Sequence, residues 1–543
     1  MKNILCLLSF FICYAVSAQE EAWVYFNAKT NEQNYYDAPL TMLSQRAIDR
    51  RIAQKISIDF KDVPINPAFI TEIKKTSGFT VMAKSKWLNA LHLRGDVTAI
   101  RSLKNHSFVD KIVFANKTLN LSNKTTVKTE KLNGTAKSKN AKVNYTYGQS
   151  ENQIKMLNGD ALHNQDYTGS GKIIAVLDSG FPGVNTVAPF ARIREANKIL
   201  GGHNYVANST DFYAGGTHGT LVLSSMAGYK ENSLVGTAPD ASYYLFVTED
   251  DVDENPVEES YWVEAAEKAD SLGVDIITTS LGYFLDHTNP AYDYTYADMS
   301  GDGTFVSKGA NIAFSRGIVV VASGGNEGYT TEPHIGAPAD AFSVLAVGAV
   351  TSSSVRAGFS SIGPSYDGRI KPDVMAQGQS TVLSDEKGNI ITASGTSFSG
   401  PIIAGMVACL WQAFPHKTNQ EIKDMVIRSS NRFTSPNNEY GYGIPNFSLA
   451  LGIVFPEIED FSAPAAEPVK VYPNPTSGFI HVDFPDSFKN GRVFFYSVFG
   501  KKVLEKESLV SIEPISLESL SSGTYFYKLE FNSFSKTGKI IKH

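Results

Sequence analysis

Between about Gly148 and Ile453 short apolar runs alternate with longer helical ones, and that alternation leaves few folds open to the chain. Lys172–Leu177, Ser242–Thr248, Val274–Thr279, Ile318–Ala322 and Val344–Val347 are rich in Val, Ile and aromatic residues and too short for helices. Helical stretches such as Glu258–Leu272 and Phe305–Arg316 lie between them. Strands apolar on both faces belong to a parallel sheet covered by helices on each side. In such sheets functional residues gather at the carboxyl ends of the strands. Two polar residues stand there: Asp178, in Ala175-Val-Leu-Asp178-Ser-Gly180, and Ser280.

Two further segments supply reactive groups. Gly216-Thr-His218-Gly-Thr220 starts a helix with an imidazole. Gly395-Thr-Ser397-Phe-Ser-Gly400-Pro401 puts a serine between a glycine turn and the apolar helical run Ile402–Leu410. A serine there has an exposed hydroxyl and a backbone N–H aimed at any developing anion. Its hydroxyl is a poor nucleophile at neutral pH and needs a base, and the base needs a partner to hold its tautomer. His218 fits the base and Asp178 the partner. Ser323-Gly-Gly-Asn326 follows an apolar strand, so the Asn326 amide can reach the same place and stabilise an oxyanion together with the Ser397 N–H. Each piece alone has an ordinary structural explanation: a turn acid, a structural histidine, a helix cap. Four such contexts in one order point to a nucleophilic site.

The order along the chain is Asp, His, Ser. With Val-Leu-Asp178-Ser-Gly, His218-Gly-Thr, Met226-Ala-Gly228, Gly236-Thr-Ala-Pro239 and Gly395-Thr-Ser397, the region resembles the subtilisin-like serine peptidases, the subtilase family. The resemblance covers about 300 residues and implies an α/β, three-layer subtilisin-like fold with a mostly parallel sheet. It implies a serine endopeptidase of protein or peptide substrates, with Asp178, His218, Ser397 and Asn326 catalytic. By the same resemblance Ser280, Leu281 and Gly282 pair with the substrate as an added strand, and Gly324 and Gly325 line its pocket. No cofactor is implied for the chemistry; structural calcium is common in the family, and its ligands here are unknown. Three departures stand out. Leu221 replaces the second histidine of the His motif, Gln377 stands where proline is usual, and Tyr283–Ala313 reads as an insertion near the cleft. Asp298-Met-Ser300-Gly-Asp302 partly matches a calcium loop, but Gly309 holds the twelfth position, which favours a turn with local Asx bonds. An esterase reading fails because Ser399 breaks Gly-x-Ser-x-Gly. A catalytically inert, surface-binding protein on the same scaffold is the alternative; the four filled positions argue against it.

The flanks divide as follows. Residues 1–18 read as a signal peptide, with Lys2, an apolar core and Val16-Ser17-Ala18. Residues 19–116 form a small α+β unit resembling a subtilase propeptide, whose last helix and strand lead into the cleft. Residues 117–147 are an exposed basic linker, with seven Lys and one Glu up to Lys142, and read as the activation site. The peptidase domain spans 148–453, a Pro/Ala linker 454–468, and a β-sandwich-like domain 469–543. That last domain resembles the sorting domain of the Bacteroidetes type IX secretion system through Tyr472-Pro-Asn474-Pro-Thr-Ser-Gly478, Gly523-Thr-Tyr-Phe and a basic end. The partners implied are substrates, the chain's own propeptide and the secretion machinery, with a secreted or outer-membrane-surface location. No transmembrane segment is expected, and a net charge of −6 argues against nucleic acid. Cys409 is the one cysteine beyond the signal, set in an apolar helix, and reads as packing.

Overall fold

The computed structural model describes residues 19–120, 145–452 and 469–542, apart from 475, 485–490, 498–501, 510, 512 and 532–533. The signal segment, the body of the basic linker and the Pro/Ala linker lie outside these residues. The chain divides into two compact units, Met1–Ile453 and Val454–His543.

The first unit is built on a seven-stranded sheet. Its strands run in the order Val374–Gln377, Leu345–Val350, Val319–Ser323, Ile276–Thr279, Ile173–Asp178, Ser242–Val247, Ile199–Asn204. All six pairings are parallel. Chain order reverses between Ile173–Asp178 and Ile276–Thr279, so a crevice opens at their carboxyl ends, where Asp178 and Ser280 stand. Ile199–Asn204 and Val374–Gln377 are strands that the apolar runs do not reveal. The first carries Gly201 and Gly202; the second has only four residues. Both lie at sheet edges.

Two helices carry the reactive segments: His218–Ala227 and Thr396–Ala413. The second is buried almost throughout and lies across the strands Ile276–Thr279, Val319–Ser323, Leu345–Val350 and Val374–Gln377. Cys409 is fully buried within it, donates to the Thr237 carbonyl at 3.1 Å, and has its thiol pKa pushed up by burial. Helices Val257–Leu272 and Phe305–Ser315 pack against each other.

The N-terminal segment forms a four-stranded antiparallel sheet: Phe79–Ser85, Ala90–Gly95, Glu20–Phe26, Val109–Phe114. It docks on helix Val257–Leu272. Trp23 and Trp87 join one apolar core with Trp262, Val263 and Phe305, and Trp23 Nε1 donates to Ser260 Oγ at 2.8 Å. Glu267 accepts bonds from Ser85 Oγ (2.6 Å), Lys86 N (3.0 Å) and Trp87 N (2.9 Å), tying down the hairpin turn. Helix Gln45–Ala53 adds a buried ionic contact. Arg51 pairs with Asp62 at 2.8 Å and Asp270 at 2.7 Å, and Arg50 bonds Asp270 and the Val274 carbonyl. After Phe114 the chain turns: Asn120 Oδ1 accepts from Phe114 N at 2.7 Å, and Lys117 pairs with Asp298 at 2.6 Å.

The second unit has two antiparallel sheets, one of three strands and one of four, around Ile480, Val482, Val493, Phe495, Leu529 and Ile540. Asn474 of the Tyr-Pro-Asn-Pro turn pins the last strand. Its Nδ2 donates to Lys539 O at 2.7 Å, and its Oδ1 accepts from Ile541 N at 2.9 Å.

Candidate active site

Asp178 is the last residue of its strand and fully buried. Its Oδ1 accepts from Ser179 N at 2.9 Å and contacts His218 Nδ1 at 2.7 Å. The close approach needs glycine: a Cβ on Gly219 would lie 2.5 Å from the Gly180 carbonyl and 3.0 Å from Asp178 Cβ. His218 is about one-third exposed, so its ring joins a buried acid to the solvent-facing crevice. Burial pulls the imidazole pKa down. The Asp178 carboxylate, by charge and hydrogen bond, and Asp251, by charge, more than offset that and hold it above the ordinary value.

Ser397 is the second residue of its helix, where the backbone N–H has no intrahelical acceptor. Ser397 Oγ lies 3.4 Å from the Ser280 carbonyl, and Ser280 Oγ donates to the Ser397 carbonyl at 2.7 Å. The next ring, Phe398, lies 6.0 Å from the His218 ring, centroid to centroid. The strand-end serine, the helix serine and the Asp178–His218 pair thus meet at the crevice. Leu281 is buried and Gly282 exposed; Tyr283 pairs its backbone with Ala337 and donates its hydroxyl to Glu249 at 2.9 Å.

Asn326 is exposed, and its side-chain oxygen is held. Thr396 N donates to Oδ1 at 2.9 Å and Thr396 Oγ1 at 3.1 Å. The same hydroxyl contacts Gly325 N and Gly325 O, each at 3.2 Å. With its oxygen committed, Asn326 has its NH₂ left as donor. The Gly324 N–H bonds the Val347 carbonyl at 2.8 Å, fixing the segment between them. Sequence reasoning missed Thr396 as the holder of Asn326; the signal available was its place beside Ser397. Gln377 is buried and accepts from Asn152 Nδ2 at 2.6 Å, so a polar contact fills the place where proline is usual.

Among the described residues, three carboxylates converge within 4.8 Å: Glu249, Glu254 and Glu258. Burial raises the pKa of all three, that of Glu258 to about 9. Glu258 already accepts from Asp250 N and Asn255 N, both at 2.8 Å. Glu249 also accepts from the Tyr283 hydroxyl at 2.9 Å, so part of the cluster's acceptor capacity is taken by the protein's own donors, whereas calcium takes six to eight oxygens. Asp298 is likewise engaged: its Oδ2 accepts from Thr295 N and Oγ1, both at 2.7 Å, and meets Lys117.

A helix-start serine, an acid-paired imidazole and a side-chain amide at the switch point of a parallel sheet are the arrangement seen in the class of serine hydrolases. Comparison with known proteins makes the assignment specific: residues 169–443 match the Subtilase family, and the chain belongs to it. Residues 21–133 match the Peptidase S8 propeptide domain of Bacteroidota, and residues 470–543 the secretion system C-terminal sorting domain. Subtilisin NAT of Bacillus subtilis subsp. natto is 33% identical over 300 residues, 55% of this chain and 70% of that protein. The subtilisin of Bacillus pumilus is 32% identical over 300 residues, 55% of this chain and 97% of that protein. The crystal structure of the epidermin leader peptide processing serine protease of Staphylococcus aureus superposes with a TM-score of 0.53 at 15% identity. That match covers 81% of this chain and all of the other, and speaks for the fold alone. The chain is a serine-type endopeptidase made as a zymogen with its own propeptide, and the sorting domain indicates export to the cell surface or beyond. Subtilases need no cofactor for their chemistry, and calcium binding is typical of them. Among the described residues no helix is long and apolar enough to cross a membrane.

Proposed function

We propose that Ser397 is the nucleophile of this endopeptidase, His218 its general base and acid, and Asp178 the residue that holds the imidazole. Ser397 Oγ leaves the Ser280 carbonyl, gives its proton to His218 Nε2 and bonds the peptide carbonyl carbon. The oxyanion is met by Asn326 Nδ2 and the Ser397 N–H. His218 passes its proton to the leaving amine, and water, deprotonated by the same imidazole, releases the acid and restores Ser397. Ser280, Leu281 and Gly282 pair with the substrate backbone, and Gly324 and Gly325 leave room for its side chain. The observation that carries this reading is the 2.7 Å contact of buried Asp178 with half-buried His218, at the crevice that Ser397 also borders.

On the same reading, residues 1–18 are a signal peptide and 19–116 the propeptide. Residues 117–147 are the cleavable linker and 148–453 the peptidase. Residues 454–468 tether the 469–543 domain that type IX secretion machinery reads. The test is mass spectrometry of the wild-type precursor beside Ser397→Ala, each incubated with casein. Loss of the N-terminal segment and digestion of casein by the wild type alone support the assignment. Equal casein cleavage by Ser397→Ala refutes it.

A further inference from the structure

We propose that Asp251 is a specificity-determining residue: with Ser179 Oγ it forms an anionic subsite beside His218 for a lysine or arginine side chain of the substrate near the scissile bond. This deepens the reading above and rests on it.

The placement comes from the sheet. Asp251 follows the strand Ser242–Val247, neighbour of the strand ending in Asp178, and Thr248 N extends that pairing to the Asp178 carbonyl at 3.0 Å. The loop therefore leaves the sheet at its catalytic edge. A Cβ built on Gly216, two residues before His218, would lie 1.8 Å from Asp251 Oδ2 and 2.4 Å from Ser179 Oγ. The Asp251 carboxylate thus occupies the space above Gly216 that a side chain at that position would need, with the Ser179 hydroxyl next to the same point. Asp251 is close enough to His218 to act on its charge.

The chemistry of the pair selects the ligand. Ser179 is 2% exposed, and its hydroxyl has no hydrogen-bond partner. A buried polar group left unmet is uncommon and costly to the fold. Asp251 is exposed, and among the described residues no Lys or Arg pairs with it. Residues 249–254 hold five acids and no base, so no cation of its own loop neutralises it. Two acceptors beside one another match an ammonium, which carries three donors and no acceptor, or a guanidinium. An anionic substrate side chain would be repelled.

The chain itself supplies a substrate of that charge. The segment 117–142, which must be cut to free the propeptide, holds seven Lys and one Glu.

The test uses linker-cut wild type, Asp251→Asn and Asp251→Lys on peptides with Lys, norleucine or Glu at each of four positions N-terminal to the scissile bond. The readout is the Lys-to-norleucine ratio of kcat/KM, which cancels any general effect of Asp251 on His218. At one position the wild type should favour Lys by about tenfold or more, the scale of one hydrogen bond to a charged group. Asp251→Asn should bring that ratio to within about twofold of one, and Asp251→Lys should favour Glu over Lys. A flat wild-type profile, or a Lys preference that survives in Asp251→Asn, overturns the inference while leaving the catalytic assignment intact. A linker-cut wild type that cleaves no peptide and takes up no fluorophosphonate overturns both.

Discussion

Replacing Thr396 by valine probes how the proposed oxyanion donor is held. Asn326 Oδ1 has two donors, the Thr396 N–H at 2.9 Å and the Thr396 hydroxyl at 3.1 Å. Valine keeps the side chain's shape and the N–H but removes the hydroxyl. One neutral hydrogen bond is worth about 1 kcal/mol, or about fivefold in rate if all of it is felt as misorientation in the transition state. The ceiling is loss of the donor itself, about 10²–10³ in kcat, a magnitude known from a bacterial subtilisin rather than worked from this chain. Thr396→Val also leaves the Gly325 N–H without its acceptor, which should lower stability by about 1 kcal/mol. The assay is kcat and KM for wild type, Thr396→Val, Asn326→Ala and the double variant, all linker-cut, with urea unfolding of each in the Ser397→Ala background. Thr396→Val should lower kcat about fivefold with little change in KM, and should cost under about twofold once Asn326 is already alanine. An equal loss in both backgrounds would refute the idea that the hydroxyl acts through Asn326.

Two further outcomes follow from the charges. His218 has its pKa raised in the fold, so the Asp178–His218 pair stabilises the native state below the unfolded imidazole value and loses that effect as pH rises through the folded one. The acid limb of kcat/KM should accordingly lie above an ordinary imidazole pKa of about 6.5, and Asp178→Asn should move it to lower pH besides cutting the rate; a limb below 6.5 in the wild type would contradict the pairing. Arg51→Ala strips a guanidinium from two fully buried carboxylates, Asp62 and Asp270, and should destabilise the Ser397→Ala precursor by about 3–5 kcal/mol in denaturant titration. A loss under 1 kcal/mol would mean that Arg50, paired with Asp270, and Arg316, 3.4 Å from Asp62, suffice to compensate those acids.

The sequence alone determined the class of fold. Short apolar runs with helical intervals specify a parallel α/β sheet, because strands buried on both faces must be apolar at every position. Asp178, His218, Asn326 and Ser397 could be singled out as candidates because each sits in a local context, strand end or helix start, that sequence encodes directly. The Tyr-Pro-Asn-Pro turn was legible for the same reason. What only the tertiary structure decided is what meets across long separations. Thr396 meets Asn326 across 70 residues, Arg51 meets Asp270 across 219, and Asp251 and Ser179 both crowd Gly216. No local pattern marks those partners, since a threonine beside a helix-start serine or an acid in a loop reads the same whether or not anything faces it. The edge strand Ile199–Asn204 was hidden for a related reason: its glycines carry no strand signal, and its pairing comes from the neighbour Ser242–Val247 rather than from its own residues. Local sequence fixes backbone preference and chemical type; the closing of the sheet and the docking of the propeptide fix which groups share a dry space, and that sharing sets orientation and pKa.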